Sequence, residues 1–149
     1  MKFSTKGRYG LKAMLDLAVH NHEGQVVLKS IAERQGLSEN YLEQLFAVLK
    51  KAKLVKSIRG SLGGYSLAES PEKITVGEIL RALEGSLVTA DCVADNGETC
   101  HSSYTCCVTK SVWVKIQEGI NQVTDSITLQ QLVEDFNKGR NHEETMFFI

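Results

Sequence analysis

Residues Ser30–Leu67, SIAERQGLSENYLEQLFAVLKKAKLVKSIRGSLGGYSL, decide the fold of this chain. Two short helical patterns flank a tight Gly36-Leu37-Ser38 turn, and a glycine-rich hairpin follows directly. Ser30 and Glu33 have capping-box spacing in the first helix, which ends before Gly36. Ser38 is placed as N-cap of the second helix. Leu42, Leu45, Phe46 and Leu49 recur on one of its faces. The opposite face begins with Glu39, Asn40, Glu43 and Gln44 and ends in Lys50, Lys51 and Lys53. Val55–Arg59 and Tyr65–Leu67 read as two short strands around Gly60, Gly63 and Gly64. Helix, glycine turn, helix and basic hairpin, in that order, form a winged helix-turn-helix.

On the N-terminal side, Leu11, Met14, Leu15 and Ala18 predict a helix over about Thr5–His20. His20 and His22 lie at its end, where basic groups suit the helix dipole. On the C-terminal side, Thr75 and Glu78 form a capping box. It opens a helix with Val76, Ile79, Leu80 and Leu83 that stops at Gly85. Periodicity is lost from Asp91 to Cys107, the stretch that holds all four cysteines. Beyond it, Trp113, Ile116, Ile120, Val123 and Ile127 form an a/d seam, which predicts a helix covered by a partner chain. Thr128 and Gln131 cap a last helix bearing Leu129, Leu132, Val133 and Phe136, followed by a polar tail from Lys138. The fold class is mainly α with a small β-wing: a winged helix-turn-helix over 1–85, a cysteine segment over 86–107, and a dimerisation helix with a C-terminal helix over 108–149.

Composition agrees with a cytoplasmic globular protein. Of 149 residues, 42% are apolar and 23% charged. The N-terminus has no apolar signal core, and no run approaches the roughly 20 apolar residues of a membrane span. The net charge of −1 conceals an asymmetry, since residues 1–67 carry +6 and residues 68–149 carry −7. A basic half joined to an acidic half points to a polyanionic partner for the first. Asn40, Glu43 and Gln44 are suited to reading base edges. Lys50, Lys51, Lys53 and Lys56 suit phosphates, and Arg59 suits a minor groove. No Ser/His/Asp set, carboxylate pair or phosphate loop stands out, so an enzyme is not expected.

Cys92, Cys100, Cys106 and Cys107 do not have the paired C-x2-C spacing of structural zinc sites, nor a C-x-x-C redox pair. Spacing alone leaves an iron–sulfur cluster, zinc and free thiols open, with His101 and Tyr104 in the same segment.

Several runs resemble the IscR-type winged-helix regulators, in a superfamily that also contains NsrR and CymR. They include Thr5-Lys-Gly-Arg-Tyr-Gly10, Ala13-Met-Leu-Asp16, Ile31-Ala-Glu-Arg-Gln-Gly36, Tyr41-Leu-Glu-Gln-Leu-Phe46, Gly63-Gly-Tyr65 and Ile127-Thr-Leu-x-x-Leu-Val133. The similarity runs from about residue 1 to 134. It implies a homodimer that ligates a [2Fe–2S] cluster, binds a near-palindromic double-stranded DNA operator and controls iron–sulfur biogenesis genes. A thiol, zinc or nitric-oxide sensor is the alternative within the superfamily, some of whose members lack a cluster. The implied DNA contacts are Ser38, Asn40, Tyr41, Glu43, Gln44, Lys50, Lys51 and Arg59, and the implied dimer contacts are Trp113, Ile116, Ile120 and Val123. Cys107-Val-Thr-Lys110-Ser-Val-Trp113 resembles the family's Cys-x-Thr-His-x-x-Trp, which makes Cys92, Cys100 and Cys107 the metal ligands. Lys110 stands where the family has histidine and cannot ligate while protonated. The fourth ligand is then Cys106, His101 or a residue from elsewhere, the partner chain included.

Overall fold

The computed structural model describes residues 2–60, 63–90, 93 and 104–147. Its elements are α1 (Thr5–His20), a 3-10 turn (Asn21–Glu23), α2 (Leu28–Gln35), α3 (Glu39–Lys51), β1 (Val55–Ser57) and β2 (Tyr65–Leu67). A second 3-10 turn (Pro71–Lys73), α4 (Val76–Glu84), α5 (Tyr104–Ser126) and α6 (Leu129–Phe147) follow. Among the described residues no helix is long and apolar enough to cross a membrane.

The core lies where α1, α3 and α4 meet. Met14, Leu17, Ile31, Leu42, Leu45, Phe46, Leu49 and Ile79 are fully buried there. The stripes expected of α3 and α4 face inward; on α1 Met14 and Ala18 do, while Leu11 and Leu15 stay half-buried and Ala13 and Leu17 fill the core instead. Two glycines of α1 set how closely α4 can approach. A Cβ at Gly7 would overlap the Glu84 carboxylate, and one at Gly10 would overlap Leu83 Cδ1. The approach brings Glu84 Oε1 to the start of α1, where it accepts from Ser4 N at 2.8 Å, Ser4 Oγ at 2.7 Å and Gly7 N at 3.1 Å. A carboxylate on a neighbouring helix thus satisfies amide groups that α1 leaves open.

The hairpin pairs Val55 with Leu67, Lys56 with Ser66 and Ser57 with Tyr65. It is anchored a second time, because Val26 and Tyr65 exchange two backbone hydrogen bonds of 2.8 Å. The glycine before Tyr65 is required. Gly64 has φ 141°, and a Cβ there would lie 3.0 Å from the Val26 carbonyl oxygen. The same bridge corrects the start of α2. The chain leaves it through extended Val27 (φ −79°, ψ 135°) directly into Leu28, so Ser30 lies in the first helical turn and is not a cap. Its N–H bonds the Val27 carbonyl at 3.0 Å.

Three other caps form as their spacing predicts. Ser38 Oγ accepts from Tyr41 N and Thr75 Oγ1 from Glu78 N. Thr128 and Gln131 bond reciprocally at 3.1 and 3.2 Å. The starts of α4 and α6 are also tied together, through Val76 N to Ile127 O and Leu129 N to Ile74 O. Helix α6 takes in the polar tail from Lys138 and continues to Phe147; no proline interrupts it, and Leu129 roots it in the core.

Asp16 is the buried charge of α1, with its side chain 4% exposed. Its carboxylate accepts from Arg34 Nε (3.0 and 3.1 Å), Arg34 Nη2 (2.7 Å) and Gln35 Nε2 (2.9 Å), the last two residues of α2. Removing one partner of such a charge-assisted set costs about 1–3 kcal/mol. Asp16→Ala is therefore expected to lower unfolding free energy by that amount in urea titration. Arg34→Ala should lower it similarly, and the double variant by less than the sum. A loss under about 0.5 kcal/mol for Asp16→Ala, the range of an ordinary surface change, would refute this role.

Candidate nucleic-acid interface and cysteine segment

Gly36 adopts the left-handed conformation (φ 66°, ψ 34°), ending α2 and turning the chain into α3. Asn40, Glu43 and Gln44 stand exposed at the start of α3, one turn apart on one face. Ala47 continues that exposed face and was not anticipated from the sequence; a small residue there leaves the centre of the face open to close approach. Lys50 and Lys51 follow two turns beyond Glu43 and Gln44, also exposed. Ser38 is exposed but its hydroxyl is engaged as the cap. Tyr41 differs from the rest of the expected DNA-contacting set. It packs half-buried against the core, its ring edge-on to Tyr9 at 6.3 Å, and its buried hydroxyl has no hydrogen-bond partner. It lies at the edge of the Asn40–Gln44 face, on the side toward α1.

The end of α3 carries a local strain. Lys53 has φ 63°, a conformation ordinarily filled by glycine. Lys53 N bonds Lys50 O and Leu54 N bonds Leu49 O, both at 3.0 Å, which closes the helix with a Schellman motif. Five cations and no anion fall between Lys50 and Arg59. Those of them on the hairpin, Lys56 and Arg59, are exposed like Lys50, Lys51 and Lys53. Recognition helix and wing thus form one positive surface with polar hydrogen-bonding groups at the helix start, the arrangement that positions on phosphates and reads bases.

The metal-ligand candidates Cys92, Cys100 and His101 lie outside the described residues. Cys106 and Cys107 belong to the first turn of α5, so helix takes over the end of the segment expected to be aperiodic. Lys110, at the family's histidine position, is exposed. Among the described residues no three His, Cys, Asp or Glu side chains gather as a metal site. The chain leading to Cys92 is docked on α5: Thr89 Oγ1 donates to the Trp113 carbonyl at 3.0 Å and Thr89 N to Gln117 Oε1 at 2.8 Å. Trp113 is six residues from Cys107, about 9 Å of helix.

The seam on α5 is divided by the fold. Ile120 and Ile127 pack against Val76, Leu80 and Leu87 of their own chain, which corrects Ile120 as a purely intermolecular contact. Trp113, Ile116 and Val123 stay exposed, joined by Val108 and Val112, each 41–59% accessible. Arg81 of α4 grips this helix through Asp125 (2.7 and 2.9 Å) and Asn121 (3.0 Å). The hydrogen bond from Arg81 holds the Asp125 carboxyl below the usual carboxylate range and raises Arg81 in turn. The pair's contribution is present above the ordinary carboxylate pKa and lost as pH falls through Asp125's lowered value; being exposed, it is worth under about 1 kcal/mol.

The chain matches the Rrf2 family profile, described as iron-dependent transcriptional regulator, over residues 3–135. CymR of Bacillus subtilis (strain 168) is 43% identical over 149 residues, 100% of both chains. Its solved structure, of the global cysteine regulator, covers 90% of this chain and 97% of that one with a TM-score of 0.76. IscR of Aliivibrio salmonicida (strain LFI1238) is 44% identical over 91% of this chain and 79% of its own length. The solved structure of T. potens IscR is 55% identical, covering 93% of this chain and 90% of that one, with a TM-score of 0.74.

Two classes of contact on the positive surface should respond differently to substitution. Gln44→Ala is expected to cost roughly 1–3 kcal/mol on an operator duplex and little on random duplex. Lys53→Gly should stabilise the fold by about 1 kcal/mol, because glycine relieves the left-handed strain. It should also weaken both duplexes alike and lower the salt slope by about one. Thermal unfolding and fluorescence anisotropy at two salt concentrations measure both. Equal losses on both duplexes for Gln44→Ala would place base reading elsewhere, and undiminished binding by Lys53→Gly would remove Lys53 from the interface.

Proposed function

The chain belongs to the Rrf2 family of DNA-binding transcriptional regulators, and from that premise we propose that it senses iron–sulfur status through a cluster held by Cys92, Cys100 and Cys107. The observation that carries this reading is the confinement of all four cysteines to residues 92–107, with the chain before Cys92 and the turn bearing Cys107 attached to the same helix. Similarity to T. potens IscR at 55% identity supports it. Three thiolates suit an iron–sulfur cluster, which when bound supplies a centre whose presence follows iron supply and oxidants. Lys110 leaves the fourth donor to Cys106, His101 or the partner chain. The [2Fe–2S] form is taken from the resemblance to IscR-type regulators.

The roles of the protein groups follow from the geometry. Thr89 and Gln117 hold the entry to the cysteine segment on α5, and Arg81 links α5 to the winged helix through α4. The exposed apolar row of α5 fits a second copy of the chain, giving a two-fold dimer. Such a dimer suits a near-palindromic operator with half-sites about one helical turn apart. The specific regulatory target is iron–sulfur biogenesis genes, by analogy with IscR-type regulators. A second reading, thiol-based sensing without a cluster, is favoured by the full-length match to the global cysteine regulator CymR.

Anaerobic purification with absorbance, iron and sulfide analysis separates the two. A coloured protein that loses its colour in each of Cys92→Ala, Cys100→Ala and Cys107→Ala is expected. A colourless protein with titratable thiols would transfer the assignment to the thiol reading, and colour kept in Cys107→Ala but lost in Cys106→Ala would displace Cys107 as a ligand.

The dimer is tested at Ile116, which the chain itself leaves 44% exposed. Ile116→Glu buries an unpaired charge in the proposed interface and should yield a folded monomer by sedimentation and circular dichroism. A stable Ile116→Glu dimer would move the interface off this helix face.

A further inference from the structure

A cavity of about 430 Å³ lies between α1, the end of α2 and α6. Half-buried Leu15 and Val19 of α1 form its apolar wall together with Phe136 of α6. Its volume falls within the range of small-molecule sites, roughly 300–1,000 Å³. Among the described residues six large apolar side chains are exposed, and five of them lie on α5. Phe136, 42% accessible, is the sixth, so the one such residue away from the α5 row borders this cavity.

The polar lining carries a single uncompensated charge. Arg34 and Asp16 neutralise each other through Nε and Nη2, and Gln35 gives its amide to the same carboxylate. His20 donates its Nδ1 proton to the Asp16 carbonyl oxygen at 2.8 Å. Lys12 differs from these. It is exposed and forms no ion pair with a described residue, and its ammonium stands 5.6 Å from the centre of the Tyr9 ring. One cation beside an apolar wall suits a single negative charge on an apolar body. A phosphate dianion would ask for a second cation, and the guanidinium that could serve it is engaged by Asp16.

We propose that this cavity is an effector site for a small carboxylate with an apolar body, its charge on Lys12 and its body against Leu15, Val19 and Phe136. The site is independent of the cysteines. Arg34 and Gln35 line it and end α2, directly before the Gly36 turn into α3. An occupant therefore braces α6 and the end of α2 on α1, and bears on the segment that sets the Asn40–Gln44 face.

The test uses the full-length chain with phenylacetate as probe, phenylacetamide as its neutral counterpart and acetate as the charge without the body. Calorimetric titration should give phenylacetate a Kd of about 0.1–1 mM, the range open to a ligand of roughly ten heavy atoms. Both counterparts should bind about tenfold more weakly, since each lacks one of the two contacts. Lys12→Gln should weaken phenylacetate to the level of the amide, and Phe136→Ala by about fivefold, at unchanged circular dichroism. Ile116→Glu, which alters the α5 row, should bind it like the parent. At saturation, amide exchange should slow over residues 34–40 and stay unchanged over residues 112–116. No saturable heat up to about 10 mM phenylacetate would overturn the proposal, as would equal affinity for the amide or undiminished binding by Lys12→Gln. Binding lost in Ile116→Glu would place the probe on α5 and overturn it too. Unchanged exchange over residues 34–40 in the saturated protein would refute the effector role.

Discussion

Burial of the Asp16 carboxylate is the constraint on which the DNA-facing half of the structure depends. Removing a carboxylate from water costs several kcal/mol unless its lone pairs are met by good donors. Here Arg34 and Gln35 supply the hydrogen bonds, with the His20 ring 3.4 Å away on α1 itself. Because these two residues end α2, satisfying Asp16 fixes that end against α1. The left-handed Gly36 follows immediately, so the direction in which α3 departs is fixed as well. Gly7 and Gly10 hold the other side of α1 against α4. The orientation of the Asn40–Gln44 face is therefore inherited from contacts on α1.

Local signals made much of this legible. Ser38, Thr75 and Thr128 act through hydrogen bonds three residues away, and the stripes of α3 and α4 depend only on helical period, so both could be read from short windows. What escaped were choices made by distant partners. Ser30 had the right spacing for a cap, but the Val26–Tyr65 bridge sets the chain's entry into α2 three residues earlier, at Val27. Asp16 carried a signal, a charge inside an otherwise apolar stripe, yet its partners lie 18 and 19 residues on. That Tyr41 packs its ring on Tyr9 of α1 depends likewise on a residue 32 positions away. On α5 the heptad spacing found the apolar residues but could not divide them between the chain's own α4 and a partner copy.

Lys53 shows how local stability and surface charge conflict within one turn. A left-handed lysine costs energy that glycine would spare. Yet the position continues the row of cations from Lys50 to Arg59 at the junction of helix and wing. Lys53 keeps the charge at the cost of backbone strain.

The division of α5 has a further consequence. Its inward residues, Ile120 and Thr124, and its polar contacts with Arg81 fasten it to the winged helix, so the helix cannot shift without disturbing α4. Its outward residues need a cover of comparable apolar character. Trp113 belongs to both surroundings at once: its side chain lies in the exposed row, while its carbonyl receives the Thr89 hydroxyl. A change that releases Thr89 frees a backbone acceptor beside the most bulky group of that row. The entry to the cysteine segment and the face suited to a second chain are therefore adjacent through a single residue, and α4 carries the same helix's position to α1.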